Sequence, residues 1–431
     1  MATVILGTRG TSGWPEYAGS TWVRLQYVLG LRKLGVDAFW VDRLPAIDDL
    51  RHHHSLDYLM ARFARTMADF GLAERWCVVY DGGRRCFGME QGRLREVVRR
   101  ADLLLNVSGH LPPDCPLTGV ELRAYVDVDP GFTQIWAGHC DMGFDRHHLF
   151  FTVGQNVGTR DFRIPTGGVN WTRILPPVFL DEWPYRFDPR CTRFSTVADW
   201  RAMQHAIHED EYYGGKRKEF LRFLCLPKDS KQPIEVALCI SMSECEDIEL
   251  LVGKGWTLDD PYQFAGDPYS YREFIQLSRA EFSVAKHGYV KSNSGWVSDR
   301  TACYLASGKP ALVQSTGFEG RLPTGRGLLT FRTLEEAVEG VREINGRYAE
   351  HCRAARELAE ERFDSSVVLR QILSAAGIPF RTATAARNGA DENAAGGTRT
   401  RAHNRARRND VTVKTGRLAA GRAHLIARSR P

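Results

Sequence analysis

The sequence predicts an α/β protein made of two successive Rossmann-like domains and a basic tail. Three observations carry this reading. The chain opens as strand, glycine-bearing loop, helix and strand. The same order restarts after a proline-bearing stretch near residue 180. The length, 431 residues, exceeds the ~250–300 that one hydrophobic core usually serves.

Thr3-Val4-Ile5-Leu6 is a short buried-strand run, followed by a loop of small residues from Gly7 through Gly10, Thr11, Ser12, Gly13 and Gly19. Val23, Tyr27, Leu31 and Leu34 then fall at helical spacing, Gly35 supplies a stop, and Val36 to Val41 returns to strand. Such a unit is the first half of a nucleotide-binding sheet. Further strands are read at Leu103–Leu105, Ala124–Val126 and Leu149–Val153, each ending in small or polar residues. Ligands of open α/β sheets bind beyond the carboxyl ends of the strands, so these loops are the first place to look for chemistry. Leu175-Pro176-Pro177 to Trp183-Pro184 breaks the alternation and reads as a hinge. The second half supplies strands at Arg193–Val197, Glu235–Ile240, Glu281–Ala285, Pro310–Val313 and Gly327–Leu329. A capping box, Thr333-x-x-Glu336, opens a helix that buries Leu334, Val338, Val341 and Ile344. A last helix starts at Asp364 or Ser365 and stops at Gly377.

Composition excludes several classes. At 43% hydrophobic, 26% charged and 10% aromatic, the chain is neither disordered throughout, collagen-like nor a disulfide scaffold. From Arg381 to Pro431 eleven Arg and one Lys face three acids, so this tail carries +9 of the net +6 and the rest carries −3. A segment so poor in apolar residues does not bury enough surface to order itself. It reads as a solvated extension, with nucleic-acid binding as the sharper alternative, against which stands the lack of aromatics to stack on bases. No run of ~18 uncharged apolar residues predicts a membrane span. Ten cysteines without Cys-x-x-Cys pairs read as reduced, buried thiols of a cytoplasmic protein. His52-His53-His54 reads as a surface run more readily than as a metal site.

The chemistry concentrates between Glu281 and Phe331. Ala285-Lys286-His287-Gly288-Tyr289-Val290 leads to Ser292-Asn293-Ser294-Gly295-Trp296-Val297-Ser298-Asp299-Arg300 and a helix from Thr301. Ser298 is placed as N-cap and Asp299 in the first turn. Free amides around Ser294, Gly295 and Trp296 are expected to meet a docked anion, aided by the helix dipole, with Lys286 and Arg300 adding charge. Lys216, beside Gly214 and Gly215, is a second candidate cation; the alternative is a solvated helix start. For a base, Asp129 follows a strand and precedes Pro130, with Asp127 on the same side, and His110 ends another strand. Both also read as ordinary turn residues. Gly13, Gly19 and Ser20 let a ligand approach the N-terminal loop, or simply turn it.

With Ser307-Gly308-Lys309-Pro310 and Leu312-Val313-Gln314-Ser315-Thr316-Gly317 behind it, this segment resembles the donor-binding part of nucleotide-sugar-dependent GT-B glycosyltransferases of the bacterial family 1-like kind. The resemblance extends over most of the chain to about Phe380. It implies two Rossmann-like domains facing across a cleft: an acceptor domain over 1–178, a donor domain over 184–364, and a helix over 365–380 returning to the first. It also implies a tail over 381–431 outside the fold. The implied reaction moves a sugar from a nucleoside diphosphate to a hydroxyl of a small molecule or glycan, with neither metal nor further cofactor. Donor contacts fall to Lys216, Lys286, Ser294, Gly295, Trp296, Asp299, Arg300 and Gly317. Acceptor contacts fall to Gly13, Gly19 and Ser20, and the base to Asp129 or His110.

Retaining members often carry two glutamates eight residues apart ahead of the small-Gly-x-Pro turn. Here those positions are Gly295 and Cys303, which leaves the stereochemistry open. Asp299 is the acid that remains. Asp127-Val128-Asp129 has the form of a metal motif but falls in the acceptor domain. Two rivals stand beside this reading. One is a GT-B-like binding protein without catalysis. The other is a dinucleotide-dependent oxidoreductase, for which Asp42 ends the second strand but Gly7–Gly13 lacks the Gly-x-Gly-x-x-Gly spacing. Trp14, Tyr17, Trp22, Trp136 and Trp171 near the loops fit a ring-bearing acceptor or plain packing equally well.

Overall fold

The computed structural model describes residues 1–46, 54–201 and 205–381. His52, His53 and the tail beyond Arg381 lie outside the described residues, so the readings made of them are not addressed.

Among the described residues, sixteen strands form two large sheets and a hairpin. The first sheet comprises β1 (Thr3–Arg9), β2 (Asp37–Leu44), β3 (Trp76–Tyr80), β4 (Arg85–Gly88), β5 (Leu103–Val107), β6 (Arg123–Asp127), β7 (Leu149–Thr152) and β8 (Thr172–Arg173), in the order β4-β3-β2-β1-β5-β6-β7-β8. Only the β3–β4 pair is antiparallel. The second half contributes β9 (Phe194–Asp199), the hairpin β10 (Ala206–His208) and β11 (Glu211–Tyr213), β12 (Ile234–Cys239), β13 (Thr257–Asp259), β14 (Ala280–Ser283), β15 (Ala311–Gln314) and β16 (Leu328–Phe331). Its sheet is wholly parallel, in the order β13-β12-β9-β14-β15-β16.

Parallel strands covered on both faces are continuously apolar. In β1, Val4, Ile5 and Leu6 are each 0% exposed. Each sheet reverses its strand order once, beside β1 and beside β9, which opens a crevice at the carboxyl ends there. The strand missed most clearly in the sequence is β3, whose partner β4 follows after only a tight Asp81-Gly82-Gly83 turn.

The two lobes share a buried contact made through the first helix. Helix α1 (Ala18–Lys33) packs on the final helix Ser365–Ala375 so closely that a Cβ at Gly30 would stand 2.6 Å from Leu369 Cδ1 and Ser365 Cβ. Trp22 of α1 packs at a tilt against Trp183, 4.8 Å between centroids, and its indole donates to the Pro268 carbonyl at 2.9 Å. The segment read as a hinge is tied to the second half: Val178 N donates to Phe363 O, and Ser365 N to Val178 O, both at 2.8 Å. The Thr333 capping box forms as read, with Glu336 N donating to Thr333 Oγ1 at 3.2 Å.

Candidate active site

A cleft of about 330 Å³ lies between the lobes at the carboxyl ends of both sheets. From the first lobe it is lined by residues 16–20, Val23, Arg24, Tyr27, Asp129, Val153, Pro176 and Pro177. From the second it is lined by residues 197–199, Lys216, Cys239, Tyr262, Tyr271, Lys286, Tyr289 and residues 296–300. Among the sequence candidates, Gly19, Ser20, Asp129, Lys216, Lys286, Trp296, Asp299 and Arg300 meet here.

Asp129 leaves the end of β6 and faces the second lobe. Lys286 Nζ donates to its Oδ1 at 2.8 Å, and the Tyr289 hydroxyl donates to the same oxygen. This ion pair spans the cleft. Asp127, fully buried, is a structural residue: Thr133 Oγ1 (2.7 Å), Gln134 Nε2 (3.0 Å), Thr152 Oγ1 (2.7 Å) and Asp129 N (2.9 Å) all donate to it. Burial raises its pKa, and these hydrogen bonds offset only part of the rise. Among the described residues no cluster of three or more His, Cys, Asp and Glu is arranged to hold a metal.

Lys216 is 6% exposed; its ammonium donates to the Val284 carbonyl and lies 5.9 Å from the centre of the Trp296 ring. Burial, then the nearby Arg300 and Lys286, hold its pKa well below the ordinary lysine value. An amine so poorly compensated is poised to gain from an entering anion. Trp296 also stacks on Tyr289 at 4.5 Å.

The helix Asp299–Ala306 points its N-terminus into the cleft. Ser298 caps it as read, accepting from Arg300 N at 3.2 Å. Burial raises the pKa of Asp299, with Arg300 and Arg24 opposing.

Several expectations are corrected. The amides of Ser294 and Gly295 are not free: they donate to Tyr289 O (3.1 Å) and Thr316 O (2.8 Å). The carbonyls of Gly295 and Ser294 accept from Gln155 N and Asn156 N of the first lobe, both at 3.1 Å. A Cβ at Gly295 would stand 2.7 Å from Asn156 N, so the glycine serves this docking and the anion-facing end of the segment shifts to Ser298–Asp299. Arg300 is spent on the Glu281 carboxylate (2.8 Å), Val197 O (2.7 Å) and Ser283 Oγ (2.6 Å). Gly317 packs against Asn156 and Asn293, and Gly13 under Leu44, both outside the cleft lining. His110 is exposed and lines an adjoining recess with Arg9, Gly10, Trp14 and Leu44. All ten cysteines are unpaired, but only Cys77, Cys115, Cys303 and Cys352 are buried; Cys86, Cys191, Cys225 and Cys239 are half-buried, and Cys140 and Cys245 are exposed.

Asp42, the acid a dinucleotide would need, is 0% exposed and occupied by the glycine loop: Thr8 Oγ1 (2.6 Å), Ser12 N (2.8 Å) and Ser12 Oγ (2.6 Å) donate to it. Sequence reading passed over Arg24 and Tyr27 in the cleft wall. The available signal was that Arg24 is the one charge in the first fourteen residues of α1.

No family model and no curated protein matches the chain. Solved structures do. An alpha-glucosyltransferase in complex with UDP-glucose and DNA containing an abasic site aligns over 87% of this chain and 99% of its own, at 11% identity and TM-score 0.55. HepE of Anabaena in complex with UDP-glucose aligns over 87% and 99%, at 9% identity and TM-score 0.53. The chain therefore has the two-lobed GT-B fold. Among the described residues, no helix is long and apolar enough to cross a membrane.

Proposed function

We propose that the protein is a glycosyltransferase that moves a sugar from a nucleoside diphosphate to a hydroxyl of a small-molecule or glycan acceptor. One observation carries this reading. A single cleft collects the carboxyl ends of both sheets, a buried lysine short of compensation, and a capped helix N-terminus. The UDP-glucose in the structural neighbours supports it.

In this reading the second lobe binds the donor. Lys216 and the backbone N–H groups at the start of the helix, not the Asp299 carboxylate, meet the diphosphate and stabilise the charge that develops as the anomeric C–O bond to it breaks. Lys286 lies beside them. The acceptor enters from the Gly19–Ser20 side, and its hydroxyl oxygen bonds to the anomeric carbon while Asp129 takes the proton. Lys286 and Tyr289 aim that carboxylate. Cations and amides do the work of a metal, and the donor is the only small molecule required besides the acceptor. The ten unpaired cysteines support a cytoplasmic site of action.

Calorimetry with a panel of nucleoside diphosphates, followed by donor hydrolysis and transfer assays, tests this. Binding of a diphosphate that Lys216→Ala weakens about 10–100-fold, together with turnover that Asp129→Asn lowers about 10²–10⁴-fold, is the expected outcome. Binding without turnover on any acceptor would leave a GT-B-like binding protein, and binding of a dinucleotide alone would refute the donor assignment.

A further inference from the structure

Arg24 and Tyr27 lie three residues apart on α1 and so share one helix face, in the wall of the cleft. Arg24 Nη1 donates to Ser20 O (3.1 Å) and Ser20 Oγ (3.0 Å), but its Nε is buried with no hydrogen-bond partner. Tyr27 is 1% exposed and its hydroxyl likewise has none. Buried polar groups are almost always paired, and two unpaired ones side by side at a cleft mark hydrogen bonds left for an occupant.

The charges nearby narrow that occupant. Asp299 lies within electrostatic range of both groups, and Asp42 and Asp129 within range of Arg24. A phosphate or carboxylate would satisfy the two donors but stand against these acids. A hydroxyl accepts from Arg24 or Tyr27 and donates to Asp299 at once. Adjacent hydroxyls on a neutral ring do so repeatedly.

We infer that Arg24 and Tyr27 of the first lobe, with Asp299 of the second, form the subsite that reads the ring hydroxyls of the transferred group, and that this group is a neutral sugar. The inference rests on the donor reading above. It adds that specificity for the sugar is set partly by the lobe opposite the one that holds the nucleotide, so the sugar is gripped only when both lobes contact it.

The test is titration calorimetry on the full chain and on Tyr27→Phe and Arg24→Met. The probes are UDP, UDP-glucose and UDP-glucuronate, or the same three forms of whichever nucleoside diphosphate binds. The quantity read is the affinity of each sugar ester relative to its parent diphosphate. Each substitution is expected to lower that ratio for the glucose ester roughly 2–10-fold, the worth of one hydrogen bond, and to leave diphosphate affinity unchanged, which also shows that the variant is folded. The glucuronate ester is expected to bind more weakly, relative to the diphosphate, than the glucose ester. An unchanged glucose ratio in both variants, or a glucuronate ratio as high as glucose, overturns the subsite while the donor reading stands. No binding by any nucleoside diphosphate overturns the donor reading and the subsite with it.

Discussion

Replacing Glu281 by Leu separates a structural arginine from a ligand-binding one. Glu281 is 0% exposed on β14, and Arg300 is 8% exposed on the cleft-facing helix. Three contacts of 2.6–2.8 Å hold the guanidinium, and the carboxylate is the only charge among them. Removing one partner of a buried pair leaves the other charge without compensation, at a cost of about 3–5 kcal/mol. In a lobe of this size that corresponds to a fall in melting temperature of roughly 6–20 °C. Glu281→Leu with Arg300→Met removes both charges, and much of the loss should return. Differential scanning calorimetry reads the first comparison. Titration of a nucleoside diphosphate into the double variant reads the second, where affinity close to wild type is expected because Arg300 is committed within its own lobe. A single variant that melts within about 3 °C of wild type, or a double variant that melts no higher than the single, refutes the structural account. A stable double variant that has lost diphosphate binding shows instead that Arg300 touches the ligand.

Three other outcomes are expected. Lys216→Met should weaken diphosphate binding about 10–100-fold, the range for a lost hydrogen bond to a charged group, measured by calorimetry. Because burial holds the lysine pKa low in the free protein and an anion raises it, binding takes up a proton. Affinity should therefore fall as pH rises through the interval between the free-state value and that of the complex, and buffers of different ionisation enthalpy report the uptake directly. Asp129→Asn should reduce transfer about 10²–10⁴-fold with donor affinity nearly unchanged, measured by steady-state kinetics alongside titration. Gly30→Ala would ordinarily stabilise a helix by about 1 kcal/mol, but the 2.6 Å approach to Leu369 and Ser365 reverses the sign, with a loss of ~1–3 kcal/mol in chemical denaturation.

The alternating architecture was legible because each strand and helix declares itself within a few residues. Thr333 and Glu336 sit three apart, and both halves of their capping box lie in that span. Lys216 was legible as a cation beside paired glycines, although its 6% exposure was not. Of the missed β3–β4 pair, Trp76 to Tyr80 is an apolar run of the same kind as the strands that were legible, whereas Arg85 to Gly88 carries no apolar alternation and pairs antiparallel, outside the strand–helix alternation. Arg24 was missed for the opposite reason: its neighbours on α1 are so regularly apolar that the one charge among them was read through.

The anion-facing amides show where such reading stops. Ser298 was placed correctly because the amide it caps belongs to Arg300, two residues on. The Ser294 amide is taken locally, by Tyr289 O at the end of the short helix His287–Ser292, which a strand–loop–helix reading of this stretch leaves out, whereas nothing local takes the Gly295 amide. Thr316, on the loop after β15, takes the Gly295 amide, and Gln155 and Asn156 of the other lobe cover the carbonyl side. A backbone amide near a helix start is available to a ligand only after its competitors, local and distant, have been counted. The same rule governs the cleft's side chains. Asp129 and Lys286 are 157 residues apart in sequence, and each reads alone as a lone charge after a strand. Only when the lobes face each other do they become a pair, and the pair in turn places the proposed base against the anion-binding end of the opposite sheet.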